Sequence, residues 1–523
     1  MSQDHDSLAM LKRRRLLRGE ITYAAAKEQD SNILHELGYR DQKIRYFTHL
    51  YRSRKLIQTI VAHHLGLASA DTCHIVDVED WIHGSFNVCI RVDVDGQGQD
   101  PGKRLMIRFP LPYRIGENLY PGNADEKVRC EVGTYAWLQE NCPTVPIPQL
   151  YGFGMSTGQT FTVLDNLPFI TRIIQRLRRR LLNWLNYPTP SPYVQHRTKD
   201  QVVLGTPYLL IEYIDQSRGK MLSETWEEGR HNFKLRKNLF HGLSRIMLTL
   251  ARTPLPKIGS FILDENGYLS LSNRPLTLEI QQLENEHIPV DMPQNSTHST
   301  VDSYVNDILA FHESRLRHQP NAVNNVADGF YQISALMVMR SVWSCFFRRD
   351  LLRGPFFLNL TDLNQTNIFV DNDWNIQCLI DLEWVCSHPV EMIHPPYWLT
   401  NQAIDLISID DYEILHKEFM EAFAKEEMKI KLPFRLYPIL QHGWERGTFW
   451  CSLALSSPTA LFKIFYDFIQ PRFSKAHDDP AFWKITMPYW TFNAFEFIEH
   501  KVRDKEQYDA SLREAFESGS SHD

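Results

Sequence analysis

The sequence has no run of about 18 uninterrupted apolar residues, which argues against a membrane-spanning helix. Its eight cysteines (Cys73, Cys89, Cys130, Cys142, Cys345, Cys378, Cys386 and Cys451) are scattered and form no CxxC pair. Neither a disulfide framework nor a zinc site is indicated. With no secretory leader, an intracellular, cytoplasmic setting with reduced thiols is expected. Basic residues are not in excess: 56 Lys and Arg against 63 Asp and Glu give a net charge of -7, so no nucleic-acid partner is expected. Internal repeats and long low-complexity tracts are also missing. What is present is a globular composition, 43% hydrophobic and 12% aromatic, over 523 residues, enough for two or three lobes.

The most informative stretch is LNLTDLNQTNIFVDNDWNIQCLIDLEW, from Leu358 to Trp384. Ile368 to Val370 and Ile376 to Ile380 are short apolar runs around the turn-rich Asp371 to Asn375, which predicts a β-hairpin. Asn367 opens the first strand and Asp381 closes the second, so antiparallel pairing brings them to one end. Asp362 lies just upstream, in reach of the same place. Two carboxylates and an amide oxygen there suit Mg²⁺, a hard ion commonly shared with substrate phosphates.

Upstream, Lys12 to Arg15 form a basic cluster, read as a solvated helix face in preference to an import signal or anionic-surface contact. Apolar positions from Ile44 to Val61 predict one or two helices, and residues 1–70 read as a helical N-terminal extension. IVDVEDWI, FNVCIRVDV and RLMIRF predict a three-stranded antiparallel meander, joined by His83-Gly84-Ser85 and the glycine-rich DGQGQDPGK. The first turn either covers phosphates with its N–H groups or is an ordinary hairpin turn. In the helix expected over 125–140, Glu131 falls on the apolar stripe and needs a partner, for which Arg108 is the nearest candidate.

A hinge is expected where PYLLIEYID, residues 207–215, runs into a segment containing Gly219. Residues 155–205 read as an insertion in a small lobe spanning 71–215. Within it, Ile173, Leu177, Leu181, Trp184 and Leu185 share one helical face opposite Arg172, Arg176, Arg179 and Arg180. Such a helix packs on its own lobe with solvated arginines, the favoured reading, or contacts a membrane or protein through 172–185. A large lobe is expected over 216–512, mainly helical, with the 274–300 loop, a long apolar helix at 329–352, and a frayed polar tail at 513–523.

The order of these parts resembles the protein-kinase-like fold. TDLNQTNIFVDNDWNIQCLIDLEW is similar to the HGDLxxxNILV…IDWE signature of the aminoglycoside phosphotransferase and choline kinase group, and the chain resembles fungal proteins of the phosphotransferase-domain type. The resemblance covers roughly residues 75–400. It implies an α+β bilobal fold, with a small antiparallel-sheet lobe and a larger mainly helical lobe. It also implies ATP and Mg²⁺ as cofactors and an unidentified hydroxyl-bearing small molecule as acceptor. Asp362 would be the catalytic residue, and Asn367 and Asp381 the metal ligands. Arg108, held by Glu131, would grip phosphates beneath Gly84 and Ser85, and Glu212 and Tyr213 would line the adenine side.

Two residues depart from that pattern. Arg108 stands where the group has lysine, and a planar guanidinium does not interchange with an ammonium. Leu360 stands where the group has histidine. These departures keep open a second reading, a pseudokinase scaffold binding nucleotide weakly or not at all. Acceptor-cleft candidates lie in the 274–300 loop and after Glu383, including His394 and Tyr397.

Overall fold

The computed structural model describes residues 13–96, 102–196, 203–474 and 480–518. Lys12 and most of the glycine-rich connection after Asp95 lie outside them. Two helices, α1 (Tyr39–Arg52) and α2 (Arg54–Leu65), precede an antiparallel sheet. Its first strands are β1 (Cys73–Ile75), β2 (Ile82–His83), β3 (Asn87–Val94) and β4 (Lys103–Pro110), followed by helix α3 (Asn123–Asn141). Then come β5 (Leu150–Gly154), β6 (Thr160–Val163), helix α4 (Phe169–Trp184), β7 (Tyr193–Gln195) and β8 (Tyr208–Glu212). Strand order is β1-β3-β4-β8-β5-β6-β7, with β2 also on β3.

Alternation along β3 and β4 decides what each face meets. Val88, Ile90, Val92, Leu105, Ile107 and Phe109 bury against Ile57, Ile60 and Val61 of α2. The opposite face carries Arg108 toward α3. Three expectations change here. IVDVEDWI is not one strand, because a 3₁₀ turn at Val78–Asp80 separates β1 from β2. Residues 155–205 are not merely inserted, because β6 and β7 widen the sheet itself. Arg14–Arg15, expected on a helix, pair as a two-residue strand with Glu20–Ile21.

Beyond β8, β9 (Lys220–Met221) leads into helix α5 (Phe233–Leu250) and a hairpin of β10 (Ser260–Leu263) and β11 (Leu269–Asn273), which the helical expectation missed. Gly133 permits α3 to lie directly on β10, since a Cβ there would sit 2.1 Å from the Phe261 carbonyl oxygen. The 274–300 loop contains helix α6 (Leu278–Asn285), tied to α3 by buried Arg274, which pairs with Glu126 (2.8 Å) and Glu284 (2.7 Å). Helices α7 (Val301–His318) and α8 (Val326–Val342) follow; α8 starts earlier and stops earlier than the 329–352 pattern indicated.

Strand β12 (Phe356–Leu360) precedes β13 (Ile368–Val370), β14 (Ile376–Leu379) and β15 (Val385–Pro389), with β12 on β15 and β13 on β14 and β9. Helix α9 (Ile409–Glu427) packs on α5. The last helix, α10 (Ala494–Glu517), runs into the segment expected to fray, because Tyr508, Leu512 and Phe516 are buried against Ala26 and Ile33. The architecture is α+β: an antiparallel-sheet lobe joined to a larger, mainly helical lobe. No helix among the described residues is long and apolar enough to cross a membrane.

Candidate active site

The hairpin forms in the expected register, Ile368 opposite Leu379, with Ile380 N–H donating to the Asn367 carbonyl (3.0 Å). Asn367 and Asp381 therefore flank the same end. Asp381 has φ of +63°, a left-handed turn that redirects the chain out of β14. Asp362 follows β12 in a loop whose contacts include Asn367 Nδ2 to the Asp362 carbonyl (2.8 Å), Asn364 Nδ2 to Asp362 Oδ1 (3.4 Å) and Trp398 Nε1 to the Leu363 carbonyl (2.6 Å).

Arg108 links the lobes. One arm donates to Glu131 Oε1 (2.6 Å); the other donates to Asp381 Oδ1 and to Glu383 Oε2 (3.3 Å). The Glu131 partnership matches the sequence reading, but Arg108 is not a free phosphate-gripping group, since its fork is shared among three carboxylates. Lys127, one turn before Glu131 on α3, is the cation that sequence reasoning missed. Fully buried, it donates to Glu383 and to Asn87 Oδ1 (2.7 Å), while Asn87 Nδ2 donates to Glu383 (2.5 Å). The four-residue spacing of Lys127 and Glu131, and the position of Glu383 two after Asp381, were the available signals.

Three carboxylates share two cations in this cluster, so it carries a surplus negative charge only while Glu131 is ionised. Asp362 feels it: burial, then the charges of Asp381 and Glu383, push its carboxyl up to about 7. Burial also raises Glu131, with Arg108 pulling the other way. Glu131 Oε2 is buried with no hydrogen-bond partner among the described residues.

Gly84 and Ser85 form the β2–β3 turn. Gly84 N–H donates to the Asn87 carbonyl (2.9 Å), and Phe86 meets the Trp384 ring edge-on at 5.2 Å, which draws the turn toward the cluster. Glu212 and Tyr213 lie apart from the ion pairs at the exit of β8, where Glu212 pairs with Arg218 (2.8 Å) and Tyr213 N–H reaches the Arg104 carbonyl (3.4 Å).

A cavity of about 950 Å³ opens beside Asp362. Its lining includes Glu279, Glu286, Tyr304, His394 and Tyr397, and on another side Asp30 and Tyr39 of the N-terminal segment. His394, Tyr397 and part of the 274–300 segment thus meet at one cavity.

No protein-family model matches the chain, and no curated protein matches it in sequence. Among solved structures it is similar to an ethanolamine kinase of Plasmodium vivax. The two share 12% identity over 86% of this chain and 84% of that one, with a TM-score of 0.35. The two-lobed assignment rests on this chain's own elements.

Asp381 and Asn367 are the residues that the resemblance implies for Mg²⁺. Asp381 Oδ2 takes no hydrogen bond among the described residues, and Asn367 Oδ1 accepts one, from Thr366 Oγ1 (3.2 Å). Both are hard oxygen donors at the open end of the hairpin. No group of three or more His, Cys, Asp or Glu suited to a metal occurs among the described residues, so these two fit Mg²⁺ only in the mode that shares it with substrate oxygens.

Proposed function

We propose that the protein is a phosphotransferase of the aminoglycoside phosphotransferase and choline kinase type. It moves the γ-phosphoryl group of ATP to a hydroxyl of a small molecule held in the cavity. The observation that carries this reading is the position of Asp362, which borders a cavity of small-molecule size on one side and the Asn367–Asp381 end of the hairpin on the other. Asn367 Oδ1 and Asp381 Oδ2 would hold Mg²⁺, which when bound supplies positive charge to the phosphates.

Asp362 orients the acceptor hydroxyl and takes its proton. The acceptor oxygen bonds to phosphorus as the bridging P–O bond to ADP breaks. Arg108, fixed by Glu131, and Lys127 keep the three surrounding carboxylates in place, and in the Gly84–Ser85 turn it is the Ser85 N–H that would face the phosphates, the Gly84 N–H being held by the Asn87 carbonyl. The Asp381 carboxylate at the hairpin end disfavours an unaccompanied triphosphate, so binding should strengthen with the divalent ion.

The second reading, a scaffold without turnover, is favoured by the direct Arg108–Asp381 ion pair, which already neutralises the metal-facing carboxylate. Thermal shift with Mg·ATP on the parent and Asp381→Ala separates the two. A rise in Tm for the parent alone supports the enzyme; no rise in the parent supports the scaffold. Where Mg·ATP binds, ADP release with hydroxyl-bearing metabolites tests transfer, and Asp362→Asn should lower it about 10²–10⁴-fold.

A further inference from the structure

Helix α4 is built inside out. None of its residues is buried. The side toward the protein is mostly polar: Thr171, Arg172, Gln175 and Arg179 are half-buried, with Arg172 donating to the Asp165 carbonyl (3.1 Å) and Arg179 to the Pro190 carbonyl (2.5 Å). The apolar stripe faces solvent instead: Ile170 is 72% exposed, Ile174 and Leu177 58% each, Leu181 54% and Trp184 78%. A stripe of this length is the opposite of what a helix packed on its own lobe presents, and correcting that expectation leaves the stripe in need of a cover.

Charge says what the cover is. No acidic residue lies between Asp165 and Asp200, and α4 carries five arginines. At 100° per residue, Arg178 and Arg180 fall at the two margins of the stripe, where a helix lying flat on a bilayer meets the headgroups. Phe169 and Trp184 stand at the two ends of the helix, with Tyr187 just beyond, all exposed and of the ring types that favour the membrane–water interface. The helix leaves β6 and returns to β7, the outermost strand of the sheet, so it sits at an edge far in strand order from β3 and β4. We propose that α4 seats the protein on an anionic lipid surface, its apolar stripe among the acyl chains and its marginal arginines on lipid phosphates and carboxylates.

The test is co-sedimentation of the full-length chain with vesicles of phosphatidylcholine alone and with about 30% phosphatidylserine. Partition onto the anionic vesicles should be at least roughly tenfold stronger and should fall as salt rises from about 0.1 to 0.5 M. The variant Ile170→Glu/Ile174→Glu/Leu177→Glu/Leu181→Glu should lose about tenfold or more in partition while keeping the parent's Tm, because the four side chains are exposed. Arg178→Glu/Arg180→Glu should lose the preference for phosphatidylserine. Equal partition on both vesicle types, or undiminished partition of the quadruple variant, overturns the proposal. So does a parent that stays in the supernatant. If that parent is a dimer by sedimentation velocity and the quadruple variant a monomer, the stripe belongs to a second copy of the chain.

Discussion

Lys127 and Glu383 are each about 1% exposed, and each is the other's main counter-charge. Burying both costs desolvation, so the pair need not stabilise the fold, but removing one partner strands the other. Lys127→Met should cost about 3 kcal/mol in urea unfolding. Adding Glu383→Gln should restore part of that loss, and a double variant as unstable as the sum of the singles would contradict the pairing. Asp362 makes a second residue-level prediction. Its folded carboxyl titrates near 7, against an ordinary 3.8, so the native state holds an extra proton between those values. Its contribution to stability is therefore most favourable below about pH 4 and is lost as pH rises through about 7. In metal-free buffer, Asp362→Asn should melt above the parent at pH 8 and together with it near pH 4, as differential scanning fluorimetry would show. Asp362, Asn367 and Asp381 were legible because two short runs and a turn fix where a hairpin's ends meet. Lys127, Asn87 and Glu383 were not, because a lysine on a charged helix looks solvated until the surface facing it is known.

Among the elements, the β13–β14 hairpin holds its Asn367–Asp381 end through its other end. Trp374, in the turn at φ +60°, stacks on Trp226 at 5.3 Å and donates Nε1–H to Thr225 Oγ1 (3.0 Å). Gly229 leaves room for this ring, since a Cβ there would sit 2.3 Å from it. Trp374→Ala should cost about 3–5 kcal/mol in denaturant unfolding. It should also weaken Mg·ATP binding and turnover together, because the loosened hairpin misplaces the proposed ligands Asn367 and Asp381. An unchanged Mg·ATP affinity would place the turn's effect elsewhere. Periodicity identified the hairpin well, but the apolar stripe of α3 understates its burial, since Glu126, Lys127, Glu131 and Thr134 are buried along with the apolar positions. For α4 it found the two faces and assigned them the wrong way round, because a hydrophobic stripe does not itself say whether protein or another apolar phase covers it. The IVDVEDWI run failed for a different reason: its alternation is strand-like, yet Trp81 Nε1–H closes back on the Val76 carbonyl (3.1 Å) across a tight turn.

On the scale of the molecule, the two ends of the chain meet, a contact no local pattern announces. Ile33 N–H donates to Tyr508 Oη (2.9 Å), and Ile33 and Ala26 cover Leu512 and Phe516 of α10. The same N-terminal segment is pinned to the large lobe through Asn321 Nδ2, which donates to the carbonyls of Gln29 (3.1 Å) and Ser31 (3.0 Å), and it walls the cavity with Asp30 and Glu36. A variant lacking residues 1–37 should thus lose stability and acceptor selection together. Uncovering Ile33's site alone forfeits about 2 kcal/mol of apolar burial, enough to lower Tm by roughly 3 °C in a lobe of this size. If the cavity binds the acceptor, KM for that substrate should rise while KM for ATP stays near the parent's, because the contacts that hold Arg108, Lys127, Asp381 and Glu383 come from residues outside the deleted segment. A Tm drop with both KM values unchanged would make the segment a clasp for α10 with no part in acceptor binding. A rise in KM for ATP alone would put the acceptor elsewhere than beside Asp362.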